Sequence, residues 1–286
     1  MIATGSQYVA IGSSFAAGPG INPIVHRGAG RSGRNYAHLV AAELGLELTD
    51  VTHAGATTSH LLDTRQDDAP PQLDAVTPNT ALVTITAGGD DLEYIGTFIR
   101  GSSLNTLAKP ASILGRRVAN RIRARVSYLT DDAAYEAVAD SLTLVVERAR
   151  ERAPDARVVL VDYLSLVGPC TRPRLDVPLN EEQLPSVALM ADGLAAAFAK
   201  AAAATGADLV AASAASQNHA IGSPDPWTTG YTWLPGLRSL PPQRRRHASR
   251  SRPDRQNPPP MTLRKPRPNL AHLPPVADFT VGTRCA

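Results

Sequence analysis

The chain has 286 residues, of which 43% are hydrophobic and 19% are charged, and its net charge is +3. This length and composition predict one medium-sized globular domain with a sizeable core. No apolar run is long enough to span a bilayer, so we expect no transmembrane segment. The N-terminus lacks a basic region followed by an apolar stretch, which predicts a cytoplasmic protein by default unless the true start codon lies upstream. Two cysteines exclude a disulfide framework or a cysteine-rich metal cluster, and Cys170 is expected to be a lone thiol.

The positive charge is concentrated at the C-terminus. Residues 241–286 contain nine Arg and one Lys against two Asp, a net charge of +8, together with ten of the 24 prolines. A segment of this composition cannot bury enough apolar surface to offset its ordering entropy. We therefore divide the chain into a folded domain, residues 1–240, and a disordered tail, residues 241–286. The folded domain is mildly acidic and gives no indication of nucleic-acid binding.

Strand and helix patterns alternate along the folded domain. Strands are predicted at residues 8–11, 48–51, 80–86, 156–163 and 207–210, and helices at residues 36–46, 131–152 and 180–204. The basic, irregular segment 95–126 is interpreted as a helical insertion above the site. This order predicts a three-layer α/β/α fold of flavodoxin type, with a mostly parallel five-stranded sheet and a site at the carboxyl ends of its strands.

Three small-residue turns follow three of these strands. The first carries Ser14 within residues 12–18, the second carries Gly55 within residues 52–58, and the third is Gly88-Gly89-Asp90-Asp91. The carboxyl ends of parallel strands share one edge, so the turns should converge there. A serine in such a turn is placed as a nucleophile, and neighbouring N–H groups can face a developing oxyanion. An ordinary strand-to-loop turn is the alternative for the first segment.

With these three blocks, residues 7–240 resemble the SGNH (GDSL) hydrolases, a family of esterases and lipases. The late segment Ala212-Ser213-Ala214-Ala215-Ser216-Gln217-Asn218-His219, followed by Asp225-Pro226-Trp227, resembles actinobacterial members. The resemblance implies Ser14 as nucleophile and as one oxyanion donor. It implies a second N–H donor from Gly55 and an asparagine donor from the third block. It implies no cofactor and no metal.

Two departures concern the turns themselves. Ser13 stands where the family has an aspartate before the nucleophile, a change of turn geometry more than of chemistry. Asp90 stands at the position of the oxyanion asparagine. An ionised carboxylate has no donor, so Asp90 can hold an oxyanion only when it is protonated, which requires a strongly raised pKa. A purely structural role for Asp90 is the alternative.

The third departure concerns the general base. The family takes it from a late Asp-x-x-His-Pro block before a final helix, and no such block is present. Neither His247 nor His272 has an aspartate three residues earlier, and His219 has Ser216 there. By resemblance, His219 is a second, non-catalytic histidine that supports the pocket, and the role of the base is the alternative for it. The final helix is expected to be missing.

A frameshift near Leu240 would explain the missing block. One choice of codons for residues 241–248, read one base later, encodes His-Pro-Ser-Ala-Gly-Gly-Met. Arg- and Pro-rich sequence is also what GC-rich DNA yields out of frame. The nucleotide sequence decides this hypothesis, since bases that cannot encode His-Pro in the shifted frame would exclude it.

The motifs, their departures from the family pattern and the basic tail leave three candidate functions. The first is hydrolysis of a small-molecule or lipid ester through an acyl-enzyme by a monomer, impaired by loss of the histidine block. The second is a catalytically dead binding protein with the same fold, and the third and weakest is a nucleic-acid binder that uses the tail. Arg31 and Arg34 lie near the nucleophile turn, where they either bind an acidic substrate group or form solvated ion pairs.

Overall fold

The computed structural model describes residues 2–94, 131–174 and 177–228. Its central sheet has five parallel strands in the order β4-β1-β5-β6-β7. In chain order they are β1 Gln7–Gly12, β4 Glu47–Asp50, β5 Thr80–Thr86, β6 Arg157–Val161 and β7 Asp208–Val210. A separate antiparallel hairpin pairs β2 Ile24–His26 with β3 Arg31–Ser32. The predicted strands are confirmed with ends that differ by at most two residues, whereas the hairpin was not predicted.

Six α-helices lie in the described residues. They are α1 Ser14–Ala17, α2 Tyr36–Leu44, α3 Thr58–Leu62, α4 Asp132–Arg152, α5 Gln183–Thr205 and α6 Ala212–Ser216. Two short 3₁₀ turns are also present, Gln72–Ala75 and Gln217–His219. The Asp131 side chain caps α4, and Gly45 ends α2 at a φ of +64° that a residue with a side chain rarely adopts. The expected insertion at residues 95–126 lies outside the described residues.

The strands separate two hydrophobic clusters because their side chains alternate between the faces of the sheet. Val9 and Ile11 of β1 point into the larger cluster, which α3, α4 and α5 cover. Tyr8 and Ala10 point to the opposite face, where α2 packs. The three-layer α/β/α prediction is therefore confirmed. The expected loss of the final helix falls in residues 229–286, outside the described part of the chain.

Helix α5 is the one described helix long and apolar enough to cross a membrane by length and composition. Its face that includes Leu194, Phe198 and Ala201 is buried in the larger cluster, against α4. This packing is that of a core helix in an α/β domain.

The prediction of a lone thiol at Cys170 is wrong. Cys170 is disulfide-bonded, and its partner lies outside the described residues. The sequence was misleading because a disulfide between cysteines far apart in the chain has no local pattern.

Candidate active site

The first turn of the site is clamped between two neighbouring segments. Gln72 holds Gly12 from both sides, since its Oε1 accepts from the Gly12 N–H at 2.7 Å and its Nε2 donates to the Gly12 carbonyl at 3.2 Å. A Cβ atom on Gly12 would lie 2.4 Å from the Thr86 carbonyl oxygen, and its φ is +150°. Only glycine fits this close approach. The chain therefore leaves β1 in one fixed direction and delivers Ser13 and Ser14 to the strand end.

Ser14 is the first residue of α1 and is half-buried. Within the described residues its hydroxyl makes no hydrogen bond with another side chain, and its backbone N–H has no acceptor. Ser13, by contrast, is fully buried and donates its N–H to the Thr86 carbonyl at 2.8 Å. One serine thus fixes the turn, while the other presents an unengaged hydroxyl and N–H.

The second turn, residues 52–58, is tied directly to the first. The His53 N–H donates to the Gly12 carbonyl at 3.0 Å, and Ala54 donates to Ala29 at 2.9 Å. Gly55 follows with a φ of +80° and is exposed, and its N–H has no acceptor in the described part of the chain. The Gly55 N–H is thus available at the same edge of the sheet as Ser14.

The third turn follows β5 and is tied to the second by a carboxylate. Asp91 accepts from the Thr58 N–H through both oxygens, at 3.1 and 3.0 Å, and from the Thr58 hydroxyl at 2.6 Å. It therefore caps α3, which begins directly after the second turn. Asp91 has a structural role that the sequence did not reveal.

Tyr163 joins the first and third turns and was missed by sequence reasoning. Its buried hydroxyl lies 2.9 Å from the Ser13 Oγ and accepts the Gly89 N–H at 3.0 Å. Its ring packs edge-on against Phe15, with ring centroids 4.8 Å apart, and burial raises the pKa of Tyr163, so its hydroxyl stays neutral. The one signal in the sequence was its place as the last residue of the predicted strand 156–163. That position says nothing of which turns the hydroxyl reaches.

Asp90 is partly buried beside these groups. Burial raises the pKa of Asp90 and the neighbouring Asp91 carboxylate adds to the rise, while a contact with the Ser13 hydroxyl and the more distant His60 oppose it. The raised pKa increases the fraction of the neutral acid, the only form of Asp90 that can donate a hydrogen bond to an oxyanion. The raised pKa therefore leaves both predicted roles of Asp90 open, that of a protonated oxyanion donor and that of a purely structural side chain.

His219 lies in the 3₁₀ turn after α6, and the residues around this turn bond the loop that follows β6: the Ser165 N–H donates to the Ser216 Oγ at 2.8 Å, and the Ile221 N–H donates to the Leu166 carbonyl at 3.2 Å. The His219 Nδ1 bonds the Asp225 carbonyl oxygen at 2.7 Å, and its ring stacks on Trp227 with centroids 4.2 Å apart. The adjacent α6 is anchored by Asp162, which accepts from the Ser213 N–H and hydroxyl. No hydrogen bond in the described residues connects His219 with Ser14, and His247 and His272 lie outside them.

Of the two arginines near the nucleophile turn, Arg31 is part of the scaffold. Its Nε donates to the Thr52 carbonyl at 2.8 Å and lies 3.5 Å from Asp50, which also accepts from the Thr52 N–H and hydroxyl. Of the two predicted roles of Arg31, ion pairing therefore agrees with the structure better than substrate binding does. Together, Arg31 and Asp50 fix the start of the turn that carries Gly55.

The described residues contain no group of three or more His, Cys, Asp or Glu side chains suited to a metal ion.

Comparisons with known proteins agree with this arrangement. The GDSL-like lipase/acylhydrolase family model matches residues 10–234. Lipase 2 of Streptomyces coelicolor is 32% identical over 217 residues, which make up 74% of this chain and 72% of that protein.

Two solved structures share the fold over most of the chain. An extracellular lipase from Streptomyces rimosus is 26% identical with a TM-score of 0.56, covering 78% of this chain and 86% of its own. Phospholipase A1 from Streptomyces albidoflavus NA297 has a TM-score of 0.60 at 22% identity, covering 81% and 89%. The family match spans all three turns, four whole strands of the sheet and the second half of β1. The chain therefore belongs to the GDSL-like lipase/acylhydrolase family of ester-bond hydrolases.

Proposed function

We propose that this chain hydrolyses carboxylic esters through a covalent acyl-enzyme, with Ser14 as the nucleophile. The observation that carries the proposal is the joining of three turns at one strand edge. Tyr163 connects the first turn to the third, Asp91 connects the third to the second, and Gly12 accepts from His53 in the second. This joining supports the proposal that one hydroxyl and two unengaged N–H groups act together on an acyl carbonyl.

In the proposed reaction the Ser14 Oγ attacks the acyl carbon, and its proton passes to a base. The carbonyl oxygen becomes an oxyanion that the N–H groups of Ser14 and Gly55 hold, with Asp90 at the third position. The C–O bond to the alcohol then breaks, and the alcohol leaves with a proton. Water attacks the acyl-enzyme and releases the acid, so that Ser14 regains its proton.

The general base of this reaction has no counterpart in the sequence, because the His-Pro block of the family is absent. The His219 Nδ1 is bonded to the Asp225 carbonyl and its ring stacks on Trp227, which favours the supporting role over that of the base. We therefore propose that a frameshift near Leu240 removed a His-Pro block and left an impaired hydrolase. A positioned general base contributes about 10²–10⁴-fold to rate, so restoring the block should raise turnover by that factor.

The alternative is a catalytically dead binding protein, and Asp90 favours it. A carboxylate at the third oxyanion position repels the charge that the transition state develops, and losing one oxyanion donor lowers turnover by about 10²–10³-fold. Hydrolysis of 4-nitrophenyl butyrate separates the two functions. We expect slow, saturable turnover that Ser14→Ala abolishes and that the matched control Ser59→Ala, an exposed serine in α3, retains.

Covalent labelling tests the nucleophile without turnover. A fluorophosphonate probe should add to the peptide that contains Ser14, as located by mass spectrometry, and fail to add in Ser14→Ala. Turnover that survives Ser14→Ala would exclude the proposed mechanism. Absence of both turnover and labelling in the natural chain would favour the binding protein.

We also propose that the protein is secreted, in place of the cytoplasmic default. The similar lipase from S. rimosus is extracellular, and disulfides such as that of Cys170 persist in oxidising compartments. Detection of the protein in culture medium, with Cys170 resistant to alkylation until reduction, would support this location. A wholly intracellular protein with a reactive Cys170 would exclude it. Size-exclusion chromatography tests the predicted monomer.

A further inference from the structure

A cleft of about 760 Å³ opens beside the nucleophile turn. This volume lies in the range typical of small-molecule sites. Its described lining includes three apolar residues, an amide, an arginine and a glycine: Pro19, Pro23, Ile24, Asn22, Arg27 and Gly30. The predicted hydrolase site did not include any of them.

The cleft adjoins two of the three turns of the site. A Cβ atom on Gly30 would lie 3.3 Å from the Pro19 Cβ and 3.4 Å from the Ala54 Cβ. Pro19 follows Gly18, which ends the four-residue helix that starts at Ser14, and Ala54 precedes Gly55. The wall of the cleft is thus shared with the segments that present the nucleophile and an oxyanion donor.

Arg27 is the only charged side chain in the described lining of this cleft. It is exposed, and within the described residues it forms no ion pair and no side-chain hydrogen bond. The nearby Arg31, in contrast, is engaged with Asp50 and the Thr52 carbonyl. An unpaired guanidinium beside apolar walls suits a ligand that has both an anionic group and a short apolar part.

We propose that this cleft binds an anionic group of the ester substrate, a carboxylate or a phosphate, with Arg27 as its cation. The inference rests on the proposed function, because it assigns the part of the substrate remote from the scissile bond. It moves the anion-binding role that the sequence suggested for Arg31 or Arg34 to a third arginine. Pro19, Pro23 and Ile24 contact the carbon chain between the anion and the ester.

The kinetic test compares two chromogenic esters of similar length, neutral 4-nitrophenyl butyrate and anionic mono-4-nitrophenyl glutarate. Arg27→Gln should lower kcat/KM for the anionic ester relative to the neutral one by about tenfold, which corresponds to about 1.4 kcal/mol. Arg34→Gln is the matched control, since Arg34 is exposed in the same region but does not line the cleft. An unchanged ratio in Arg27→Gln, with Ser14-dependent turnover of the neutral ester intact, would overturn the inference and leave the proposed function standing.

A binding test covers the case in which the chain turns over neither ester, which would count against the proposed function alone. Calorimetric titration of the full chain with n-hexyl phosphate should give a dissociation constant that rises about tenfold in Arg27→Gln and stays unchanged in Arg34→Gln. Equal binding by all three proteins, or no binding, would overturn the inference.

One further substrate, compared with the glutarate ester, distinguishes the sources of the anion in an active chain. Fatty-acid release from phosphatidylglycerol in detergent micelles reports on a lipid phosphate, and the glutarate ester reports on a soluble carboxylate. Selective loss of either in Arg27→Gln supports the inference and assigns the source.

Discussion

Replacing Tyr163 by phenylalanine tests how the site is held together. The substitution keeps the ring that packs on Phe15 but removes the hydroxyl that reaches the Ser13 Oγ at 2.9 Å and the Gly89 N–H at 3.0 Å. Gly89 is buried and makes no other N–H hydrogen bond in the described part of the chain, so its donor becomes unsatisfied. Ser13 keeps its contact with Asp90, so its loss is smaller.

The expected loss follows from these partners. An unsatisfied buried donor costs about 1–3 kcal/mol, so the free energy of unfolding should fall by about that amount. The first and third turns also lose their direct connection. Because misplacement by about 1 Å can cost about 100-fold, we expect kcat for 4-nitrophenyl butyrate to fall about 10- to 100-fold, with KM nearly unchanged.

Tyr94→Phe is the matched control. Tyr94 lies in the same aromatic cluster, with its ring centroid 6.4 Å from that of Tyr163, and among the described residues its buried hydroxyl has only a contact with the Leu166 backbone that falls short of hydrogen-bond geometry. Removing that hydroxyl should leave both kcat and stability unchanged or slightly improved. Urea unfolding and steady-state kinetics on both variants decide the outcome. If Tyr163→Phe loses stability but keeps the natural kcat, the hydroxyl has no part in positioning the turns and the reasoning is wrong.

Three further substitutions have defined outcomes. Asp90→Asn should raise kcat at pH 8 by about 10²–10³-fold by supplying a permanent donor; a kcat at or below the natural value would contradict the oxyanion role of this position. Burial raises the pKa of Asp90, so the folded state binds the proton of this carboxyl more tightly than the unfolded state does. The stability that this proton contributes is therefore lost as the pH rises from the unfolded pKa of Asp90 through its folded pKa. Asp90→Asn should remove that pH-dependent loss, which urea midpoints between pH 4 and 8 would measure. Asp91→Ala removes the charged acceptor of the Thr58 N–H and hydroxyl and should cost about 1.5–3 kcal/mol in urea unfolding, and an unchanged midpoint would refute this capping role. Gly12→Ala places a Cβ atom 2.4 Å from a backbone carbonyl oxygen and should lower stability by at least about 1–3 kcal/mol in thermal unfolding, whereas Gly20→Ala, in open space, should cost less.

Much of the fold could be predicted because its signals are local. The strand over residues 80–86 matches the structure to the residue, since strands buried on both faces are continuous apolar runs bounded by turns. The α4 helix begins within one residue of its predicted start at residue 131 and ends at the predicted residue 152. The hairpin of β2 and β3 was missed because its strands have three and two residues, too few for a periodic pattern.

The positions of Ser14 and Gly55 at one edge also followed from the sequence, because parallel strands must end on the same side. What holds those turns together did not. Tyr163 lies 150 residues from Ser13, and Asp91 lies 33 residues from Thr58. No periodicity records a hydrogen bond between such distant positions.

By itself, the sequence determined the strand and helix segments, the three-layer architecture and the turn that carries Ser14, because each depends on burial patterns or turn chemistry within a few residues. Only the tertiary structure decided which polar groups are hydrogen-bonded or ion-paired within the protein and which remain available to a ligand. Arg31 is engaged and Arg27 is not, and Ser13 is buried while Ser14 is not. Residues of the same type within four positions of each other differ in this way because hydrogen-bond partners and solvent access are set by packing between distant segments.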